Sequence, residues 1–239
     1  MRPIVSLVIY LLCLFVFVAS SNAASLRVAP VILDLKAPQA ASTIRIWNDA
    51  PRPIHVQVRV FRWDQKNGGD VYTPTNDVAA SPPFIALDPG GENLIRVVRT
   101  SKRAIGKEES YRLIVDELPE PSRRQAGVVN LVVRHSIPVF FTPPGSSPAM
   151  SWTVEPKRGG YVVTVRNDGT QRLRVSNLVL SSQGKTLAHR GGLVGYVLGE
   201  SSVTWFVPAK GGRPSGGTVM IGADSEGGRV NAQARMRGG

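Results

Sequence analysis

The stretch that decides the fold runs from Gly127 to Pro143 and reads GVVNLVVRHSIPVFFTP. Apolar residues alternate along it, so that in an extended strand Val129, Leu131 and Val133 point to one face. Further valines fall on the opposite face. A strand that is apolar on both faces normally lies inside a sheet or sandwich. It can also be lent to another protein, and the residues alone leave both uses open.

The start of the chain carries the pattern of an export signal. Arg2 is followed by an apolar run over residues 4–18 and then by small residues that end in Ala23 and Ala24. This is the pattern of a cleavable secretory signal peptide. The run is short for a membrane span, which needs about 20 residues, so an uncleaved anchor is the weaker alternative. We expect residues 1–24 to be removed and the mature protein not to insert into a membrane.

Cysteine content and charge narrow the class of protein. The one cysteine, Cys13, lies in the signal segment, so we expect no disulfide and no cysteine metal site in the mature chain. The formal net charge is +12, or +11 once Arg2 is removed. The basic residues are dispersed and the aromatic residues are not spaced as a stacking platform, so we expect no nucleic-acid partner. An acidic protein or a carboxylate is a better match to such a surface.

Short alternating segments, separated by turn signals, run through the whole chain. No segment has a helical period longer than two turns. The alternating segments cover residues 26–35, 41–47, 54–61, 93–99, 111–118, 161–166 and 173–180. Turn signals such as Asn-Asp, Asn-Gly-Gly and Asp-Pro-Gly-Gly separate them. The pattern predicts an all-β protein built from immunoglobulin-like sandwiches.

A proline-rich stretch and a weak repeat divide the chain into two domains. Residues 142–148 have the composition of a linker. Residues 44–56 and 163–175 both read as strand, Asn-Asp turn and strand, as in a hairpin. Chance likeness is the alternative, because such turns are common. The predicted organisation is a signal peptide (1–24), a first domain (25–143, with the strand 127–141), a linker (144–148) and a second domain (149–239).

The sequence gives little support for catalysis. His135 and Ser136 are neighbours in a predicted strand, so their side chains point to opposite faces and cannot act as a base and nucleophile pair. The chain has no Gly-x-Ser-x-Gly motif, phosphate loop or metal-ligand spacing. We expect a binding protein and not an enzyme, with no catalytic residues, no cofactor and no metal.

Five pieces, in the same order, resemble the periplasmic chaperones of chaperone–usher pili. Some of them resemble the archaic (Csu-like, spore-coat-like) branch. The pieces are residues 81–90, 95–99, 110–119, 136–140 and 195–199. The resemblance covers essentially the whole mature chain. It implies a periplasmic protein of two immunoglobulin-like domains, set at an angle, with a cleft that receives the end of a pilin subunit.

The resemblance also implies a mechanism and partners. In this family the chaperone lends a strand to a pilin subunit that lacks its last strand, and delivers the subunit to an outer-membrane usher. Val129, Leu131 and Val133 would then fill the groove of the subunit. The alternative is that these side chains close the core of the chaperone itself. Whether the free protein caps itself as a homodimer is left open by the sequence.

The resemblance implies an anchor for the terminal carboxylate of the subunit. In the better-known branch an arginine on the first strand and a lysine on the lent strand bind it, but Pro30 and Pro138 stand at those positions. Arg112 is the first substitute and Arg134 the second, because a guanidinium can hold a carboxylate through two parallel hydrogen bonds. The alternative for each is a solvated surface arginine.

Two further points complete the prediction. Glu117 matches a family acid that joins the two domains by a salt bridge, although Thr142 stands where its usual arginine partner would be.

A different function, a secreted tandem sandwich that binds carbohydrate or a cell-surface partner, predicts aromatic residues at loop ends. Trp47 and Trp63 instead lie on or beside predicted strands.

Overall fold

The computed structural model describes residues 26–119, 131–210 and 217–236. These residues form seventeen strands. The strands are β1 (Leu26–Ala29), β2 (Leu33–Lys36), β3 (Ala41–Asn48), β4 (Ile54–Lys66), β5 (Gly69–Pro74), β6 (Val78–Ser81), β7 (Phe84–Leu87), β8 (Glu92–Arg99), β9 (Glu109–Leu118), β10 (Arg134–Thr142), β11 (Met150–Lys157), β12 (Gly160–Asn167), β13 (Leu173–Ser182), β14 (Lys185–Val197), β15 (Ser201–Pro208), β16 (Thr218–Ser225) and β17 (Gly228–Arg235). None of the described residues belongs to a helix long and apolar enough to cross a membrane.

The first ten strands form one sandwich. One sheet has the order β1-β3-β8-β6, and the other has the order β2-β10-β9-β4-β5, with β7 paired to β4. Period-two side chains fill the space between them, because alternate residues of a strand face the same side. Ile44 and Ile46 of β3 face the core from one sheet, and Leu113 and Val115 of β9 face it from the other, all fully buried.

The chain changes sheets near its described start. The sequence predicts one strand over residues 26–35, but the structure has β1 in one sheet and β2 in the other. Pro30 lies between them and has no N–H to donate to a ladder, so it interrupts pairing. The apolar alternation continues on both sides of the break, which explains why the sequence pattern reads as a single strand.

The remaining strands form a second sandwich with its own core. Its sheets have the orders β11-β12-β15 and β14-β13-β16-β17. Val163 and Val165 of β12 pack with Leu178 and Leu180 of β13, and all four are fully buried. The predicted class, all-β with two immunoglobulin-like sandwiches in tandem, is confirmed.

The repeat noted in the sequence occupies equivalent places in the two sandwiches. Asn48 ends β3 and Asn167 ends β12, and both are fully buried. The two stretches are not hairpins, because β3 and β4 lie in different sheets, as do β12 and β13. Each Asn-Asp pair marks the point where the chain crosses from one sheet to the other.

Candidate functional site

One edge of β10 is open along half of its length. β10 pairs antiparallel with β9 from Arg134 to Phe141. On its other side it pairs with β2 only from Val139 to Thr142. Within the described part of the chain, no strand lies against residues 134–138 on that side.

The register shows which backbone groups face the open side. The Val133 carbonyl accepts a hydrogen bond from Glu117 N at 2.9 Å, so the odd-numbered residues bond toward β9. The Thr142 carbonyl accepts from Ala37 N at 3.0 Å on the opposite side. Because successive residues alternate in an antiparallel ladder, the N–H and C=O groups of Arg134 and Ser136 turn outward. Pro138, which has no N–H, ends the row of donors.

The apolar face of β10 continues beyond the sandwich that it helps to build. Ile137, Val139 and Phe141 face the core of the first domain, each with at most 2% exposure. On the same face, Val133 is half-buried and packs against the rim of this core. Leu131 is 83% exposed.

The sheet that faces β10 across the core ends near the exposed Leu131. Its strand β1 begins at Leu26 in the described residues, and Nε2 of His135 lies 2.8 Å from the Leu26 carbonyl oxygen. Past this point, nothing in the described residues covers Leu131. Val129, predicted to share this face, lies outside the described residues. An unpaired edge beside an uncovered apolar face is suited to receive a strand from another chain.

Arg112 lies on β9 directly across from Pro138. Its guanidinium carbon is 3.8 Å from the ring centroid of Trp63 and 6.0 Å from that of Tyr196. One terminal nitrogen lies 3.5 Å from the Ser136 carbonyl oxygen at the open edge. Among the described residues no carboxylate lies within 4 Å of Arg112, and its buried Nε has no partner. Arg112 also interacts with the Tyr72 hydroxyl, but its charge is not neutralised by a carboxylate of the described residues.

Arg134, the second predicted anchor, is differently placed. It lies at the start of β10 and forms an ion pair with Asp116, which is 6% exposed. Asp116 also binds Arg59 at 2.5 Å. A subunit carboxylate would have to compete with Asp116 for Arg134. The structure therefore favours Arg112 over Arg134 as the anchor.

Glu117, predicted to join the domains, is bound within the first sandwich. It pairs with Arg52 at 3.0 Å and accepts a hydrogen bond from Val133 N at 3.3 Å. Glu117 lies near the end of β9, whereas the domain junction lies at its beginning, beside Glu108. Thr142, at the position of the family arginine, donates a hydrogen bond to Glu108 at 2.8 Å. The interdomain role assigned to Glu117 belongs in this geometry to Glu108.

Arg172 of the second domain is the partner of Glu108. Its guanidinium binds Glu108 at 2.5 Å and lies 3.0 Å from both Asp34 and Glu226. The Arg172 side chain is fully buried, and its backbone N–H also donates to Glu108 at 3.0 Å. Burial raises the pKa of the Glu108 carboxyl above its ordinary value, although Arg172 opposes the shift. The same carboxylates hold the pKa of Arg172 above its ordinary value in spite of burial.

An aromatic cluster fills the rest of the junction. Trp63 and Phe140 from the first domain pack with Tyr196 and Leu198 from the second, against half-buried Ile32. The ring centroids of Trp63 and Tyr196 are 5.5 Å apart, in an edge-to-face arrangement. Contacts of this type add to the free energy gained from apolar burial.

Arg172 and Gln65 connect this cluster to the backbone and charges around it. The guanidinium of Arg172 lies 3.6 Å from the Phe140 ring centroid. The side chain of Gln65 donates to the Tyr196 carbonyl at 2.9 Å and accepts from Leu198 N at 2.9 Å. Sequence reasoning missed these two residues, because an alternating pattern does not show which polar side chain of a strand faces a second domain.

The tryptophans do not favour the carbohydrate-binding alternative. Trp63 is 2% exposed and Trp152 is 8% exposed, because each packs in a core. Trp47 lies on β3, where Arg27 stacks at 4.2 Å from its ring centroid. A sugar-binding platform needs exposed rings gathered at loop ends, and these three rings do not form one.

Two immunoglobulin-like sandwiches, a buried ionic junction and an open strand edge define a chaperone-type β protein. Residues 25–147 match the family of pili and flagellar-assembly chaperones, PapD N-terminal domain. The chain belongs to this family. The Escherichia coli chaperone protein CssC is 24% identical over 139 residues, which span 52% of this chain and 57% of CssC.

Solved structures agree with this assignment. One is the CsuC–CsuE chaperone–tip adhesion subunit pre-assembly complex from the archaic chaperone–usher Csu pili of Acinetobacter baumannii. A chain of it is 26% identical, with a TM-score of 0.67, over 90% of this chain and 100% of that chain. The E. coli chaperone DraB, at 22% identity and a TM-score of 0.58 over 90% and 97% of the two chains, shares the fold. The resemblance to pilus chaperones of the archaic branch, predicted from the sequence, is confirmed.

Proposed function

We propose that the protein is a periplasmic chaperone that binds and folds pilin subunits by donor-strand complementation and delivers them to an outer-membrane usher. The open edge of β10, with Leu131 exposed beside it, is the observation that carries the proposal. Chaperone–pilin complementation is an established example of strand addition, in which backbone hydrogen bonds supply affinity and alternate side chains supply specificity. We expect cleavage of the predicted signal peptide, residues 1–24, to release the mature protein into the periplasm.

The position of Leu131 supports donation of this strand to a pilin subunit. Counted at period two from Val133, which packs against the core of the first domain, Leu131 is expected on the same face as Ile137, Val139 and Phe141. A subunit bound at the open edge would therefore extend this core and not form a separate one. Burying Leu131 would contribute about 1.5–3 kcal/mol, and Val129 and Val133 would add to it, before the cost of ordering the segment. Val133 already packs in part against the rim, so its contribution is the smaller one.

Arg112 is the proposed anchor for the terminal carboxylate of the subunit. It lies one strand away from the open edge, stacked on a buried ring that fixes its direction. A terminal carboxylate bound there would set the register of the subunit strand along β10, since a bidentate bond to a guanidinium is geometrically specific. Binding of this kind needs no catalysis and no nucleotide. The same edge is available for a second copy of the chain, which would give a self-capped homodimer of the free protein.

Co-purification with a candidate pilin tests the proposal. The variants are Leu131→Glu and, as a matched control, Leu193→Glu, which changes a 54% exposed leucine of the second domain. Both should fold as the wild type does, because neither side chain is buried. We expect wild type and the Leu193 variant to capture pilin one to one and the Leu131 variant to lose it. Unfolding of the Leu131 variant, or undiminished capture by it, would contradict donation from this strand.

A further inference from the structure

Tyr196 is the point at which basic side chains of the two domains meet. Its ring is 8% exposed and packs against Trp63 and Phe140 at the junction. Arg112 approaches it from the first domain, 6.0 Å from its ring centroid. Arg174 approaches it from the second domain, because Arg174 and Tyr196 are directly paired across β13 and β14. Such a pair shares one face of the sheet with Cβ atoms about 5 Å apart.

Arg174 and Arg172 differ sharply in burial and in partners although they lie only two residues apart. Arg172 lies two residues earlier, is fully buried and is bound by three carboxylates. Arg174 is exposed, and the part of the chain that the structure describes offers it no carboxylate within 4 Å. The junction thus contains one arginine that is used structurally and one whose charge is free.

The charges of Arg112 and Arg174 act on the same place. Burial raises the pKa of the Tyr196 hydroxyl; Arg174, Arg172 and Arg112 each oppose that shift, Arg174 the most, whereas the Glu226 carboxylate adds to it. Arg172 is already neutralised by its carboxylates. Arg174 and Arg112, which have no carboxylate within 4 Å among the described residues, are therefore the two cations beside Tyr196 that a ligand could still pair with.

Three buried N–H groups at the junction lack an acceptor among the described residues. They are Nε1 of Trp63, a residue that is 98% buried, Nε of Arg112, which stacks on it, and Nε of Arg172. Buried donors in folded proteins nearly always have a partner. Free positive charge and unpartnered donors at one place indicate a site for an anionic group with several acceptor oxygens, which a carboxylate provides.

We propose that Arg174 of the second domain and Arg112 of the first together bind the terminal carboxylate of the subunit across the domain junction. This inference rests on the proposed function and adds a residue to its anchor. Pro30 and Pro138 stand where the first domain would otherwise supply two basic residues. The second cation comes here from the other sandwich, so the Glu108–Arg172 pair, which holds the domains together, also holds the two halves of the anchor in place.

The test compares two forms of the candidate pilin, one with its free terminal carboxylate and one ending in an amide made by chemical ligation. Dissociation constants are measured for wild type, Arg112→Gln, Arg174→Gln and Arg235→Gln. Arg235 is the control, an exposed arginine on β17 of the same sheet as Arg174. We expect wild type and the Arg235 variant to prefer the free acid about tenfold or more. The Arg112 and Arg174 variants should lose most of this preference and bind the amide as the wild type does.

The remaining outcomes distinguish a failure of the shared anchor from a failure of the proposed function. An unchanged preference in the Arg174 variant, together with a lost one in the Arg112 variant, would overturn the shared anchor and leave strand donation intact. Equal binding of acid and amide by wild type would overturn carboxylate anchoring at this site. Failure of wild type to bind either form would overturn the proposed function itself.

Discussion

Asn48 and Asn167 make four equivalent side-chain hydrogen bonds in the two sandwiches, and Asn167 accepts a fifth from Ala149 N at 3.0 Å. The side-chain amide of Asn48 donates to the carbonyls of Arg52, Leu87 and Asp88 at 2.7, 3.1 and 3.0 Å. That of Asn167 donates to the carbonyls of Gln171, Val197 and Leu198 at 2.7, 3.2 and 3.1 Å. Each amide also accepts a bond from the backbone N–H two residues on, at 3.0 and 2.9 Å. Each one closes the crossing between two sheets.

Replacement of either asparagine by alanine should destabilise the protein. Three carbonyls, together with one backbone N–H at Asn48 and two at Asn167, would lose their side-chain partner, and each unsatisfied buried group costs about 1–3 kcal/mol unless water reaches it. We expect Asn48→Ala and Asn167→Ala each to lower the free energy of unfolding by about 2–4 kcal/mol, measured by urea denaturation. Asn231→Ala, at an exposed position of β17, should change it by less than about 0.5 kcal/mol. Equal losses of unfolding free energy at all three positions would contradict the stabilising role of the two buried asparagines at the crossings between sheets.

Arg172→Met should be among the most destabilising changes at the junction. Methionine fills a similar volume, but it leaves the buried Glu108 carboxylate without its cation. Breaking a buried pair on one side typically costs about 3–5 kcal/mol. The control is Arg229→Met, which removes an exposed pair with Asp224 and should cost about 1 kcal/mol or less. Denaturation followed by tryptophan fluorescence reports the change, because Trp63 lies at the junction. A small effect of Arg172→Met would show that the ionic network does not hold the domains together.

Glu108 should make the stability depend on pH in a defined direction. Burial raises the pKa of its carboxyl above the ordinary value of 4.5, so the folded protein holds this proton more tightly than the unfolded chain. The associated stability is present below about 4.5 and is lost as the pH rises through the folded-state value. We expect the free energy of unfolding of wild type, minus that of Glu108→Gln, to fall over this window. A difference that stays constant, or that rises with pH, would contradict a raised pKa.

Much of the fold could be predicted because it depends on local alternation. Strands such as β3, β9 and β12 bury every second residue, and the sequence shows that period directly. The repeated Asn-Asp pairs could be found by eye, although the sequence suggested hairpins and the structure shows crossings between sheets. Whether two strands that follow a turn share a sheet depends on contacts distant in sequence, so the local pattern does not decide it.

The site was predicted less completely, for a physical reason in each case. Leu131 was predicted to be a donor residue because an apolar face is visible in the sequence, and this stays a prediction. Glu117 was assigned to the junction by alignment, but its position near the end of β9 places it beside Arg52. Arg172 and Arg174 look alike in sequence, two residues apart, with Arg172 just before β13 and Arg174 on it. Only the packing of the second domain against Phe140 buries one and leaves the other exposed.

Residue-resolved hydrogen exchange on the chaperone, free and bound to pilin, tests strand donation most directly. The amides of Arg134 and Ser136 face the open edge of β10, whereas those of His135 and Ile137 face β9. Strand addition predicts that the Arg134 and Ser136 amides exchange much more slowly in the complex. The His135 and Ile137 amides, already paired with β9, should change little. A stable complex in which the Arg134 and Ser136 amides exchange as fast as in the free protein would contradict pairing at this edge, and with it the proposed mechanism.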